Sequence, residues 1–353
     1  MPLERLKVTI PIIQAPMAGV STPAMAAAVS NSGGLGSIAV GAANAAVARS
    51  MIEQTRVLTK RAFNVNLFVH AAPGLDNARE QAWLDALRPL FRNYGAEPPS
   101  ALRTIYKSFA DDDEMLAVLV DAAPPVVSFH FGVPSPERIS ALRVAGSILL
   151  ASATSPAEAG QIERAGIDMI IAQGWEAGGH RGVFDSAAPD DCLGTLALTR
   201  LLASQSALPV IAAGGIMDGA GVRAVLELGA VAAQLGTAFI SCPESDADEA
   251  YRAALACGLG KHTVMTRAIS GRPARCLPNL FTAWEALGQP PAPSYPRAYD
   301  AGKALHAAAK AEDESGFGAH WAGQGAPLIR KLGAADLVRI LWDEATSAGL
   351  WSG

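Results

Sequence analysis

The sequence predicts an α/β protein whose main domain is a (β/α)8 TIM barrel, with a smaller helical capping subdomain formed by insertions. Eight short apolar runs recur along the 353 residues, and most are continuously apolar, as strands buried on both faces are. Helical patterns separate most of the runs, which indicates parallel strands. Polar residues follow nearly every run, at the end of a barrel strand where active sites lie. A doubly wound open sheet is the alternative architecture.

Each predicted strand is an apolar run that ends in glycine or polar residues. The runs cover residues 12–17, 35–40, 63–68, 126–131, 148–152, 169–173, 210–213 and 232–240. Alanine-rich helical patterns lie between them, for example at residues 22–31, 156–165 and 219–228. This repeat of strand and helix is what a barrel requires.

Two stretches depart from the repeat, and we expect them to form one helical subdomain over the barrel mouth. The first has a helical pattern interrupted by Pro89 and by Pro98–Pro99, and the second carries helical runs at 246–257 and 303–310. A last helix at 334–345 has apolar residues at helical spacing and should pack on the barrel. The predicted division is barrel 1–71, cap 72–103, barrel 104–243, cap 244–312 and C-terminal segment 313–353.

The composition argues against several classes of protein. The net charge is −5 and no Lys/Arg cluster could track a phosphate backbone, so we expect no nucleic-acid partner. No apolar run could span a bilayer and the first residues lack a signal-peptide pattern, so we expect a cytoplasmic protein without membrane contact. Reduced thiols and no metal site are expected because no C-x-x-C pair occurs among Cys192, Cys242, Cys257 and Cys276. The composition leaves both a monomer and a homodimer open.

Two glycine loops predict a phosphate site. AAGGI at 212–216 follows the seventh strand, and QLGT at 234–237 follows the eighth. In a barrel these loops lie side by side, and glycine lets backbone amides approach phosphate oxygens closely. Neither loop contains Lys or Arg, so amides and the Thr237 hydroxyl would bind a resident cofactor's phosphate. Ordinary tight-turn glycines are the alternative interpretation.

The middle strands supply further candidates. Asn66 is an amide within an otherwise apolar strand, where it could read a planar ligand. His130 ends the fourth strand and, taken alone, suits a buried core histidine. After the sixth strand, Gln173, Glu176, His180 and Arg181 share a glycine-rich loop that is typical of an active site. His180 could take a carbon-bound proton or, when protonated, hold an anion.

Tyrosines recur in and beside the predicted cap, at Tyr106, Tyr251, Tyr295 and Tyr299. Lys303 completes an i, i+4, i+8 series with the last two, and on a helix the three would share one face. Phenol hydroxyls and one ammonium suit a small anion. A helical stripe that packs on its neighbour is the alternative.

These motifs together resemble the class I nitronate monooxygenases, formerly called 2-nitropropane dioxygenases. The resemblance runs through nearly the whole chain in order: QAPMAGVSTPAMAAAVSNSGGLGSI at 14–38, NVNLF at 64–68, SFHFG at 128–132, GWEAGGHRG at 174–182, QLGTAF at 234–239, TRAISGRPAR at 266–275 and WAGQ at 321–324. Val20 departs from the glycine expected there, which could narrow the space near the cofactor.

The resemblance implies non-covalent FMN and assigns roles by position. His180 becomes the active-site histidine. The implied substrate-pocket residues are Tyr106, Tyr251, Tyr295, Tyr299 and Lys303, with His130 beside them as a further candidate substrate contact. The implied flavin contacts are Met17, Asn66, Gln173, Gly178, Gly215, Gln234, Leu235, Gly236 and Thr237.

The reaction that the resemblance implies is oxidation of an alkyl nitronate by O2 to a carbonyl compound and nitrite. The nitronate would give one electron to FMN, forming a flavin semiquinone, and propionate 3-nitronate is the expected substrate. Protonated His180 with Lys303 would hold the anion, whereas neutral His180 would be the base for a nitroalkane. The alternatives are an NAD(P)H-dependent FMN reductase acting on quinones or enoyl thioesters, and a flavin-binding protein without catalysis.

Overall fold

Eight parallel strands form a barrel in the computed structural model, which describes residues 2–257 and 262–347. They are β1 (Ile12–Gln14), β2 (Gly36–Ala39), β3 (Phe63–Phe68), β4 (Val126–His130), β5 (Ile148–Ala153), β6 (Met169–Gln173), β8 (Val210–Ala213) and β9 (Ala232–Leu235). Their order is β1-β9-β8-β6-β5-β4-β3-β2, and a parallel bridge between Ile13 and Leu35 closes the ring. The predicted barrel is confirmed, and the open sheet is excluded.

The helices lie around the barrel and at its two ends. They are α1 (Pro2–Leu6), α2 (Pro23–Asn31), α3 (Ala45–Leu58), α4 (Asn77–Arg92), α5 (Asp113–Ala122), α6 (Pro136–Val144), α7 (Pro156–Arg164), α8 (Thr195–Gln205), α9 (Gly219–Glu227), α10 (Glu249–Ala256), α11 (Leu280–Glu285), α12 (Arg297–Ala311) and α13 (Ala334–Thr346). A small antiparallel sheet joins β7 (Gly179–His180) to β11 (Ala274–Cys276), which pairs with β10 (Val264–Thr266). No helix in the described ranges is both long and apolar enough to cross a membrane.

Side-chain caps explain where several outer helices begin. Thr22 Oγ1 accepts a hydrogen bond from the amide of Met25 at 3.0 Å, and Pro23 occupies the first helical position of α2. Asp218 caps α9 in the same way through the amide of Gly221 at 2.8 Å. Each cap therefore fixes the residue at which its helix begins after the preceding loop.

Two details differ from the expectations. The run at 232–240 is a strand only to Leu235, because Gly236 turns the backbone into a 3-10 helix at Thr237–Phe239. Pro89 does not interrupt α4, which continues to Arg92. The buried side chains of Leu87 and Phe91 anchor that last turn, so the loss of one amide donor is tolerated.

The two inserted segments pack against each other. Trp83 on α4 meets Trp284 on α11 edge to face, with ring centroids 5.2 Å apart. Glu80 on α4 forms an ion pair with Arg297 at the start of α12. Residues from both segments therefore form one apolar cluster beside the barrel mouth. The boundaries of a separate capping subdomain stay a prediction.

Candidate active site

A cavity of about 540 Å³ opens at the carboxyl ends of the barrel strands. All the candidate residues line it: Met17, Asn66, Tyr106, His130, Gln173, Gly178, His180, Gly215, Gln234, Leu235, Gly236, Thr237, Tyr251, Tyr295, Tyr299 and Lys303. Barrel topology explains this convergence, since parallel strands present the residues at their carboxyl ends to one face. The roles given to these residues stay predictions.

The two glycine loops meet at one end of the cavity. Gly215 adopts φ +70°, a conformation that glycine tolerates best. The amides of Gly215 and Gly236 donate to no acceptor within residues 2–257 and 262–347. Thr237 Oγ1 accepts from the amide of Gly323 at 3.0 Å, so its own hydrogen stays available. Free amides and a hydroxyl donor make this end of the cavity suited to a phosphate.

An unpaired polar atom lies deeper in the same cavity. Gln234 is 8% exposed, and its Oε1 has no hydrogen-bond partner within the described residues. A buried acceptor without a partner is costly unless a ligand supplies a donor. Asn66 donates through Nδ2 to Ser128 Oγ at 2.9 Å, which leaves Oδ1 for a ligand. Both side chains, together with the phosphate end, fit a planar cofactor with N–H groups, such as a flavin.

Gln173 uses its amide on the protein itself. Its Nε2 donates to the carbonyl of His180 at 3.0 Å, and its Oε1 accepts from the amide of Gly182 at 2.7 Å. These contacts draw the loop after β6 back over the end of its own strand. Gln173 lines the cavity and at the same time fixes the loop that carries His180.

The other polar residues of that loop hold the fold rather than face the cavity. Glu176 accepts from the amide and the hydroxyl of Thr195, at 2.7 and 2.8 Å. Arg181 is fully buried and pairs with Asp190 at 2.8 Å. Of the four polar residues noted in the sequence, only Gln173 and His180 line the cavity.

His180 lies on β7 with its ring inside the cavity wall. Its Nε2 is 2.9 Å from Ser270 Oγ, and its ring centroid is 5.0 Å from that of Trp321 and 5.5 Å from that of Tyr295. Burial lowers the pKa of His180 to about 3, and the nearby His130 and Arg272 add to that effect. A neutral His180 is therefore favoured over the protonated alternative.

Both ring nitrogens of His130 are engaged. Nε2 lies 3.2 Å from the carbonyl oxygen of His180, and Nδ1 lies 3.0 Å from Ser152 Oγ. Because a carbonyl only accepts, Nε2 carries the hydrogen and Nδ1 accepts from the serine. Burial lowers the pKa of His130 to about 4, which agrees with a neutral ring. His130 thus supports the backbone of His180.

Three tyrosines and a lysine line the part of the cavity around His180, which we call the chamber. The ring centroids of Tyr295 and Tyr299 lie 5.5 and 6.2 Å from that of His180. The ring centroid of Tyr106 lies 5.8 Å from that of Tyr299. The ammonium of Lys303 lies over the rings of Tyr106 and Tyr299, at 5.2 and 5.4 Å, and is exposed at the rim. Burial raises the pKa of all three phenols, so they act as neutral donors.

Tyr295, Tyr299 and Lys303 do not all lie on one helix, so the condition for a shared helical face is not met. The helix α12 begins at Arg297, and Tyr295 precedes it. Tyr295 reaches the chamber from the preceding loop, and its buried hydroxyl has no partner within the described residues. The chamber therefore contains a free donor that the helical spacing did not predict.

Tyr251 occupies a different part of the cavity wall. Its hydroxyl donates to the carbonyl of Trp321, and its ring stacks on His320 with centroids 4.7 Å apart. It packs in one cluster with Val20 and Ile240, away from the cluster of Tyr106 and Tyr295. These contacts give Tyr251 a supporting position in the structure, while the predicted substrate contact stays untested.

Three residues around His180 have no role that the sequence predicted. Trp321 contacts the imidazole, Ser270 is bonded to it, and the guanidinium of Arg272 lies 4.2 Å from the ring centroid of Phe131, which faces His180. They come from the segments TRAISGRPAR and WAGQ, which carried the resemblance without an assigned function. No local spacing signals their place, because the pairing of β7 with β11 brings them together.

Comparison with known proteins identifies the family. The family model for nitronate monooxygenase matches residues 2–344. The chain is 60% identical over 340 residues to a nitronate monooxygenase of Paraburkholderia phytofirmans, covering 96% of this chain and 93% of that protein. It is 56% identical over 335 residues to a nitronate monooxygenase of Pseudomonas aeruginosa, covering 95% of each.

Solved structures agree with this result. A nitroalkane oxidase from Streptomyces ansochromogenes has a TM-score of 0.89 at 40% identity and covers 97% of both chains. FabK from Thermotoga maritima has a TM-score of 0.74 at 29% identity, covering 97% of this chain and 94% of that one. The chain is therefore an enzyme of the nitronate monooxygenase family.

Proposed function

We propose that this enzyme uses FMN and O2 to oxidise small alkyl nitronates to a carbonyl compound and nitrite. The observation that supports the proposal is one cavity with free backbone amides and a hydroxyl at one end, at Gly215, Gly236 and Thr237, and with tyrosine hydroxyls around His180. The family supports nitronate oxidation. FMN, when bound, would supply the redox chemistry that links the nitronate to O2.

The chain's own residues would bind the cofactor in two places. The free amides of Gly215 and Gly236 and the Thr237 hydroxyl would take the phosphate. Gln234 Oε1 and Asn66 Oδ1 would accept from the ring system. A single terminal phosphate suffices for this arrangement, which favours FMN over FAD. Release of the cofactor by heat and its identification by mass tests this, and recovery of FAD or of no flavin contradicts it.

The chamber suits a small anion. The Tyr295 hydroxyl offers a hydrogen bond that no described protein group uses. Arg272 is 5% exposed and forms no ion pair with a described carboxylate, so its positive charge acts behind Phe131. Lys303 adds a second positive charge at the rim, again without a carboxylate partner in the described ranges. A nitronate with a second anionic group, such as propionate 3-nitronate, would use both.

His180 has a different task for each form of the substrate. A nitronate is already deprotonated, so the neutral imidazole only orients it and excludes water. A neutral nitroalkane must first lose the proton on its α-carbon, and neutral His180 would accept it. If the enzyme were instead an NAD(P)H-dependent reductase, it would oxidise NADH or NADPH. Oxygen uptake and nitrite release with propyl nitronate, in parallel with NADH and NADPH, separates the two functions.

A further inference from the structure

Ser270 contacts the imidazole of His180 from outside the cavity. It lies on the loop between β10 and β11 and is 1% exposed. Its Oγ is 2.9 Å from Nε2 of His180, 3.2 Å from the carbonyl oxygen of Arg272 and 3.3 Å from the amide nitrogen of Arg272. The hydroxyl therefore has three hydrogen-bond partners of different kinds.

Only one arrangement of hydrogens satisfies all three partners. A hydroxyl has one hydrogen to donate and two lone pairs that accept. The carbonyl of Arg272 can only accept, so it takes the hydroxyl hydrogen, and the amide of Arg272 can only donate. The remaining lone pair must accept from His180, which places a hydrogen on Nε2. The opposite arrangement sets the serine oxygen against the Arg272 carbonyl without a hydrogen between them.

The backbone of His180 is held independently of its ring. Its carbonyl accepts from Gln173 Nε2 at 3.0 Å and from His130 Nε2 at 3.2 Å. These bonds fix the main chain and do not involve the ring nitrogens of His180. Ser270 supplies the hydrogen bond to the ring, and Nδ1 has no hydrogen-bond partner within the described residues.

We propose that Ser270 is a positioning residue that holds His180 as its Nε2–H tautomer and so presents the Nδ1 lone pair to the cavity. The inference rests on the proposed function, because a base is needed only for a neutral nitroalkane. In that step the α-carbon–hydrogen bond breaks and the proton moves to Nδ1. The electron pair passes into the nitro group, which gives a nitronate beside an imidazolium ion.

Steady-state kinetics of the flavin-loaded enzyme tests the proposal with Ser270→Ala and Ser270→Thr. We expect kcat/KM for nitroethane to fall about 10- to 100-fold in the alanine variant, the loss known for removing the hydrogen-bond partner of a metal-bound histidine. Turnover of ethyl nitronate should fall far less, and threonine should restore nitroethane oxidation because it keeps the hydroxyl. Parental nitroethane activity in Ser270→Ala overturns the proposal, and so does an equal loss on both substrates.

A second measurement does not depend on a variant of Ser270. Nitrogen NMR of the histidine-labelled holoenzyme, with His180→Asn to assign the signals, reports which ring nitrogen carries hydrogen. We expect a protonated Nε2 and an unprotonated Nδ1 at neutral pH, and the reverse pattern overturns the proposal. If the parent enzyme oxidises neither substrate, the proposed function fails, while the tautomer is still decided by this spectrum.

Discussion

Replacement of His180 by asparagine separates the two reactions proposed for this site, oxidation of a nitronate and oxidation of a nitroalkane. Asparagine keeps a polar side chain but cannot accept a proton from carbon. We expect nitroalkane oxidation to fall by about two to four powers of ten, the usual contribution of a general base, or about 3 to 5 kcal/mol of barrier. Oxidation of the preformed nitronate should fall far less, because that substrate needs no deprotonation.

The pH dependence gives the sharper result. With the pKa of His180 lowered to about 3, its ring stays neutral as the pH falls and becomes protonated only near that value. At pH 5 about 1% of such rings are protonated, whereas a histidine with an ordinary pKa would be about 97% protonated. Nitroalkane oxidation by the parent should therefore persist to pH 5.

The assay is oxygen uptake with nitroethane and with ethyl nitronate across pH 5 to 9, for the parent and for His180→Asn. His306→Asn is the matched control, because His306 lines the same cavity from α12. Loss of parental nitroalkane activity with a midpoint near pH 6.5 would refute the account of a buried neutral base. Parental activity of His180→Asn on both substrates would remove His180 from the mechanism.

Three further predictions concern cofactor and substrate binding. Gly215→Glu and Gly236→Glu should each lose flavin, because the new carboxylate repels the cofactor phosphate, and absorbance measures the loss. The control Gly74→Glu, at an exposed glycine, should keep its flavin. Normal flavin content in both variants would place the phosphate elsewhere. Tyr295→Phe should keep its melting temperature but bind nitronate about 10- to 100-fold more weakly, because the substrate loses the hydrogen bond from the Tyr295 hydroxyl. An unchanged KM for nitronate would contradict a substrate contact by Tyr295. Arg272→Gln should lose more kcat/KM on nitronate than on nitroethane and Arg272→Lys should keep it, whereas equal losses would show a structural role.

The barrel was predictable because its signal is local and repeated. Each continuously apolar run overlaps a barrel strand. A strand that is buried on both faces is recognisable from its continuous apolar sequence alone. The end of β9 was not predictable, because the residues after Gly236 stay apolar while the backbone turns into a 3-10 helix. Apolar character alone does not separate a strand from a buried turn.

The candidate residues were predictable as a set, but their tasks were not. The positions at strand ends located the cavity, since topology brings those ends together. Glu176 and His180 are both polar residues of one loop, and their sequence does not tell their tasks apart. Only the hydrogen bond from the amide of Thr195 to the Glu176 carboxylate shows that Glu176 stabilises the fold. Ser270 became visible as a partner of His180 only through the antiparallel pairing of β7 and β11, a contact between segments 90 residues apart.

Anaerobic mixing of the flavin-loaded enzyme with propyl nitronate tests the central claim most directly. We expect that nitronate alone removes the absorbance of the oxidised flavin, that NADH and NADPH do not, and that admission of O2 restores the absorbance with release of nitrite. A flavin spectrum unchanged by nitronate, or one bleached by NADH or NADPH, would contradict it.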